Sequence, residues 1–385
     1  MKVVFFANRM PDLCGAFLHD IDLATELQKR GHGVMFATLE RPKEGYSGGV
    51  YRGFRFMHFS AATTYLDASE IWICPHAPVL PFVRKINSRG MFRPIVSTCH
   101  FDNAYNAISL NASNNWNEML FYINNRMESG FRKNVTPWPS SIVKTDVTRP
   151  IMREENVRMD EPPTGECITL VNANLNKGVV QFIELAKRMP ERKFLAVMPY
   201  YGELHPPQFP ANVETIPFQD DVRVVLKKTR ILLLPSFYES FARIAVECMY
   251  NGIPVLYSKP EPTTKIGGMT EGVEEWIAPT GIQCRRDIPE DWIDVITSFD
   301  DPATYAARSA QSIEHIKNMD LFTESTRIAQ KIEAFSRENP VKVQSSMEIR
   351  QQAVPQSVSQ QAPVLRPPPA GSSFGLSTGR LRIRR

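Results

Sequence analysis

Residues 236–258, SFYESFARIAVECMYNGIPVLYS, follow directly on the apolar run Ile231 to Leu234, and together they read as strand, turn, helix and strand. Ile231 to Leu234 is a buried strand of a parallel sheet, Pro235 and Ser236 are the turn, and Ser240 is the N-cap of a short helix closed by Asn251-Gly252. A second buried strand, Pro254 to Tyr257, follows at once. At the start of such a helix the backbone N–H groups of Phe241, Ala242 and Arg243 lack intrahelical partners, and with the helix dipole they form an anion site of a size that suits a diphosphate. Glu247 lies roughly 9 Å further along the axis, at ~1.5 Å per residue, where a ribose would sit if phosphates occupied the helix start. Glu239, before the first turn, faces the other end of such a ligand. The competing reading makes Glu247 a solvated helix residue paired with Arg243 at i,i+4.

The same rhythm runs outward in both directions. Lys2 to Ala7 is an apolar strand, Cys14-Gly15-Ala16 a loop, Phe17 to Arg30 a helix stopped at Gly31-His32-Gly33, and Val34 to Thr38 a strand, which makes a βαβ opening. Further strands are expected at Phe54 to Phe59, Ile71 to Cys74 and Ile95 to Cys99, with a helix around Trp116 to Glu128. The Pro-rich run Thr136 to Pro150 leads out of this first domain, and Glu161-Pro-Pro-Thr-Gly165 is the hinge. Ile168 to Asn172 then restarts the pattern, followed by a helix from Val179 to Arg188 whose apolar residues Val179, Phe182, Ile183 and Ala186 fall at i, i+3, i+4 and i+7. Phe194 to Met198, Val213 to Ile216 and Gly281 to Cys284 supply more strands, and Ala303 to Glu338 reads as two helices. Two Rossmann-like halves result, with the ligand in the crevice at the carboxyl ends of the strands.

Composition sets the outer limits. A chain of 385 residues that is 43% hydrophobic is long enough for two globular domains and an appendage. From Asn339 onward seven basic residues face the single acid Glu348, so this stretch carries +6 and the rest of the chain −2 of the overall +4. A mildly acidic body gives no support to nucleic-acid binding. The Gln, Ser and Pro of QQAVPQSVSQQAP and RPPPAGSS cannot build a core, so a disordered tail is expected, its RLRIRR end available to an anionic surface or an acidic partner. No apolar run approaches the ~20 residues of a transmembrane helix, and Val3 to Ala7 is too short for a signal-peptide core, which makes a cytoplasmic protein the expectation. Cys14, Cys74, Cys99, Cys167, Cys248 and Cys284 are scattered without C-x-x-C spacing and read as buried thiols, and the seven histidines form no ligand pair.

The segment 236–258 resembles the E-x7-E signature of the family 4 glycosyltransferases of GT-B fold, through Glu239, Phe241, Glu247, the preceding ILLLPS and the closing NGIPV. The resemblance implies an α/β, GT-B fold of two Rossmann-like domains facing a central cleft, with a disordered C-terminal tail. Residues 1–160 would be the acceptor domain, 161–300 the nucleotide-sugar donor domain, 301–338 helices packing back on the first domain, and 339–385 the tail. In that family the first Glu approaches the donor sugar and the second hydrogen-bonds the ribose. Lys177, in LVNANLNKGVV (170–180), takes the diphosphate; the usual companion Arg is missing and Asn172 and Asn174 stand in its place. Otherwise Lys177 is a surface lysine at a helix start. His100, in VSTCHFD (96–102), faces the transferred sugar, with Asp102 a guess beside it; a structural His is the alternative. Gly268, in the Gly-Gly-x-x-Glu stretch of Ile266 to Gly272, would approach the ligand closely, as would Gly15 where many relatives carry two glycines. Ala242 replaces the common Gly after the Phe.

The implied reaction moves a sugar, with retention, from a nucleoside diphosphate donor to an acceptor hydroxyl such as that of a glycan; UDP and GDP donors both remain open. No cofactor and no metal are expected. Asp20-Ile21-Asp22 has the Asp-x-Asp form of a metal motif, but it falls inside the first helix and reads as a solvated face, leaving the helix start and Lys177 to offset the phosphate charge. A GT-B nucleotide-sugar epimerase and a non-catalytic interaction protein that keeps the fold are the alternatives.

Overall fold

The computed structural model describes residues 1–11, 14–41, 49–75, 79–100, 115–135, 137–200, 208–259, 271–277 and 280–341. Asp102, Gly268 and all but the first three residues of the 339–385 tail lie outside the described residues.

Apolar runs such as Val3-Val4-Phe5-Phe6 are buried on both faces, the mark of strands covered by helices on two sides. In the first half β1 (Lys2–Ala7), β2 (Gly33–Thr38), β3 (Val50–Tyr51), β4 (Phe54–His58), β5 (Ile71–Pro75), β6 (Ile95–Cys99), β7 (Glu118–Tyr122) and β8 (Ile142–Val147) form one sheet of order β3-β4-β2-β1-β5-β6-β7-β8. Every pairing in it is parallel except that of β3 with β4. In the second half β9 (Cys167–Val171), β10 (Phe194–Val197), β11 (Val213–Ile216), β12 (Thr229–Leu234), β13 (Val255–Ser258) and β14 (Ile282–Cys284) form a wholly parallel sheet of order β11-β10-β9-β12-β13-β14. Strand order reverses between β1 and β5 and again between β9 and β12. Those two reversals open the crevices where ligands of doubly wound sheets bind.

Two expectations fail in the first half. The helix placed around Trp116 to Glu128 is β7 followed by a helix over Asn125–Asn134, because EMLFY is a fully buried run, apolar after Glu118, and the Asn124 carboxamide caps the next turn, accepting from the Met127 N–H at 2.7 Å. Part of the Pro-rich exit, Ile142 to Val147, stays in the sheet as β8.

The chain ends its described part by returning to the first sheet. The helix Glu324–Glu338 buries Ile328, Ala329, Ile332 and Phe335 in the cluster that holds Phe5, Ile21 and Phe36. Arg30 donates to Glu333 through two nitrogens at 2.8 Å, and Arg327 bonds Asp146 at 2.7 Å. No helix of the described residues is long and apolar enough to cross a membrane. Cys74, Cys99, Cys167, Cys248 and Cys284 are buried free thiols, and Cys14 is half-buried.

Candidate active site

A cavity of about 300 Å³ opens between the two sheets, lined by Gly15 and His100 from the first half and by Lys177, Glu239 and Glu247 from the second. These five residues come from the segments after β1, β6, β9 and β12, of which β1, β9 and β12 flank the two reversals of order.

Local backbone geometry brings Lys177 and Glu239 together. After β9 the chain turns at Asn172, with φ 64°, and Asn174 caps a short 3-10 helix, Leu175–Lys177, by accepting the Lys177 N–H at 3.1 Å. Gly178 then takes φ 78° so close to the turn after β12 that a Cβ there would lie 2.1 Å from the Pro235 carbonyl oxygen. The Phe237 N–H reaches across to the Asn176 carbonyl at 2.9 Å. With the two loops held this way, Lys177 Nζ donates to Glu239 Oε1 at 2.6 Å and Ser236 Oγ donates to the same oxygen at 2.7 Å. Glu239 is therefore a buried carboxylate with two donors on one oxygen, and Lys177 is not an isolated surface lysine. Asn172 lines the cavity, whereas Asn174 spends its amide internally, on the Lys177 N–H and on Asn172 Oδ1 at 3.1 Å, and is not among the lining residues.

The helix carrying Glu247 starts later than the sequence implies. It spans Arg243–Tyr250 and its N-cap is Ala242, in the left-handed region at φ 59°, ψ 63°, not Ser240. Phe241 and Ala242 thus precede the first turn, and of the three N–H groups expected to open the helix only that of Arg243 belongs to it. All three residues line the cavity. Ser240 serves elsewhere: its carbonyl accepts from Asn124 Nδ2 of the first half at 3.0 Å. Glu247 does pair with Arg243, Nε to Oε1 at 2.8 Å, but it is not solvated, for only 6% of its surface is exposed. Burial raises its pKa, against the pull of the neighbouring guanidinium.

The first helix also departs from expectation. Asp20 and Asp22 are inside Gly15–Lys29 as anticipated, yet both are buried rather than on a solvated face. Helix Gly15–Lys29 is covered on both sides, with Ile21, Leu23 and Leu27 in the first-half core and Asp22 against Arg243 of the second half, 2.8 Å from its Nη2. The histidines correct a second expectation: His19 and His100 approach at 5.2 Å between ring centroids, and together with Asp20 they bring potential ligand atoms within 4.8 Å of one another.

The proton positions decide what this cluster can do. The Ile151 N–H donates to His19 Nδ1 at 2.9 Å, so the neutral ring carries its hydrogen on Nε2. Burial first, then His100 and Arg243, push the His19 pKa well down and keep the ring neutral. A metal-bound histidine has the opposite arrangement, with one nitrogen bare toward the ion and the other donating to a carbonyl or carboxylate. Burial also drives the Asp20 pKa well up, which favours its protonated form. The group is suited to holding protons and hydrogen bonds behind His100 rather than to ligating an ion.

The E-x7-E motif with its flanking residues exposed Glu239 and Glu247 in the sequence, and the Lys-Gly pair after a strand, read with the resemblance, exposed Lys177. Asp22, His19 and Asp20 were missed because their partners lie far away in the chain. The one available signal was a helix with acidic residues among apolar ones on more than one face, which implies cover from two sides.

The two doubly wound sheets, facing across a shared cleft, define a GT-B fold. The solved structure of Anabaena Alr3699/HepE in complex with UDP-glucose superimposes with TM-score 0.68 at 14% identity, over 87% of this chain and 100% of that one. Sucrose-phosphate synthase from Thermosynechococcus elongatus does so with TM-score 0.65 at 14% identity, over 87% and 98%. Within this fold, residues 208–301, which include Glu239 and Glu247, match the family model described as Glycosyl transferases group 1. A curated relative, the D-inositol 3-phosphate glycosyltransferase of Corynebacterium efficiens, is 26% identical over 111 residues, a match covering 29% of this chain and 24% of the relative.

Proposed function

We propose that this protein is a glycosyltransferase that moves a sugar, with retention, from a nucleoside diphosphate donor to an acceptor hydroxyl. The observation that carries the reading is the convergence of Lys177 with Glu239 and Glu247, the first of them 62 residues further along the chain, on one cavity between two Rossmann-like halves. A neighbour of the same fold holds UDP-glucose, which supports a nucleotide-sugar donor here. In this assignment residues 161–300 bind the donor and 1–160 offer the acceptor side. Glu247 accepts the ribose hydroxyls and Lys177 neutralises the diphosphate, with Asn172 and the backbone around Phe241, Ala242 and Arg243 as neutral donors. Glu239 and His100 face the transferred sugar.

Chemically, the acceptor oxygen forms a bond to the anomeric carbon on the face from which the diphosphate departs. The C–O bond to the diphosphate breaks, and the acceptor proton passes to the departing phosphate oxygen. Such a step needs positioning and charge stabilisation more than an acid–base pair. Lys177 supplies the charge without a metal ion. Its present partner, Glu239, keeps the ammonium at the mouth of the site until a more highly charged diphosphate replaces that contact.

Incubating the protein with UDP- and GDP-sugars and hydroxyl acceptors tests the reading. Release of nucleoside diphosphate with a product whose anomeric coupling matches the donor is expected. Sugar isomerisation without an acceptor, or product of inverted configuration, would contradict it.

A further inference from the structure

Arg243 touches three separate parts of the chain. Its Nε donates to Glu247 on its own helix at 2.8 Å, its Nη2 to Asp22 on the first-half helix Gly15–Lys29 at 2.8 Å, and its Nη1 to the carbonyl of Ile151, between the two halves, at 2.9 Å. All three charged side chains are out of solvent: 11% of Arg243, 7% of Glu247 and 2% of Asp22 is exposed. The planar guanidinium can serve two carboxylates and a carbonyl at once, which an ammonium cannot do in fixed geometry. Asp22 is itself oriented by Asn156, whose Nδ2 donates to Asp22 Oδ1 at 3.3 Å.

We propose that Asp22 is a positioning residue for the donor site, acting through Arg243 on Glu247. The inference rests on the reading above that Glu247 takes the ribose. Asp22 and the Ile151 carbonyl each take one terminal nitrogen and so fix the plane of the guanidinium, in which Glu247 is met by Nε alone and through Oε1 alone. The second carboxylate oxygen is left for the ribose, whose adjacent hydroxyls bring the donors that a buried carboxylate needs. Without the charge of Asp22, the guanidinium is free to turn a second nitrogen onto Glu247 and occupy that oxygen. Because Asp22 belongs to the first half and Glu247 to the second, ribose binding is also tied to contact between the halves. A first-half substitution thereby alters donor affinity without touching the donor.

A double-mutant cycle reads this out. UDP and GDP binding is measured by calorimetry on the full chain and on D22N, E247Q and the double variant, with thermal melts of each. Asp22→Asn is expected to weaken binding of the preferred nucleotide about tenfold, the scale of one charge-assisted hydrogen bond, and to have no further effect once Glu247 is Gln. Wild-type affinity in D22N, or an equal loss in both backgrounds, would overturn the relay. Full affinity in E247Q would sink the ribose assignment and the relay with it, whereas a loss in E247Q and none in D22N would sink the relay alone. Should D22N melt below the assay temperature, Arg243→Lys takes its place in the same cycle, because lysine keeps the charge but cannot hold the three contacts.

Discussion

Ala242 sits at φ 59°, a conformation that costs a residue with a Cβ roughly 1–2 kcal/mol, and it sits there because the chain must reverse between Glu239 and the helix of Glu247. Ala242→Gly should therefore be neutral or stabilising by up to about 1 kcal/mol in denaturant melts, despite the extra freedom glycine gives the unfolded chain. Ala245→Gly, inside the same helix, should instead lose about 1 kcal/mol or more. Equal losses at the two positions would mean that Ala242 is not strained. Gly178 is the converse case. A methyl group there would strike the Pro235 carbonyl, so Gly178→Ala should lower stability by about 1–3 kcal/mol and also weaken UDP binding, because it drives apart the loops that hold Lys177 to Glu239. A variant with unchanged melting and nucleotide affinity would contradict that placement. Lys177, Glu239 and Glu247 could be picked out of the sequence because the resemblance that singles them out rests on short local motifs. Asp22 could not, since its partner Arg243 is 221 residues away and only the meeting of the two halves gives the pair its meaning.

Strands and helices with strong periodicity were legible for the same local reason: β1, β2, β6 and the helix Val179–Arg188 fall where the apolar pattern puts them. β7 was misread because a buried run such as EMLFY has no alternation, and only its pairing with β6 and β8 makes it a strand. The helix Glu324–Glu338 depends on the fold in another way, through charge. Its Glu333 carboxyl is held down to about 2, against an ordinary 4.5, foremost by the hydrogen bond from Arg30 and also by His32. A carboxyl with a depressed folded pKa adds stability above pH 4.5 and loses it as the pH falls toward 2. Amide protection in this helix, taken relative to the intrinsic exchange rate at each pH, should fall over that window before the second-half strands respond, and Glu333→Gln should flatten the dependence. Protection that is unchanged between pH 4.5 and 2 in the wild type would show that the Arg30 contact does not hold the helix.

Across the whole molecule, one cavity receives loops from both sheets at the two places where strand order reverses, and this is what makes a transferase reading more than a matter of a motif. In the proposed reaction the charge that receives the diphosphate comes from Lys177 and backbone donors, and the His19 tautomer opposes use of the histidine cluster as a metal site. Transfer should accordingly survive EDTA; complete loss restored by Mn²⁺ or Mg²⁺ would overturn metal independence. The overall architecture was readable from the alternation of strands and helices, while the burial of Asp20, Asp22 and His19 was not, since it arises only when the second half covers the first helix. The central claim, that Glu247 holds the ribose and Lys177 the diphosphate, is tested most directly by calorimetry of UDP and GDP with the wild type, Glu247→Ala, Lys177→Ala and Glu239→Ala. The first two variants should each lose about 1 to 3 kcal/mol of nucleotide affinity, the scale of a charged hydrogen bond, while Glu239→Ala binds the bare diphosphate normally and fails in sugar transfer. Equal, measurable affinities for the wild type and for both the Glu247 and Lys177 variants would contradict the assignment.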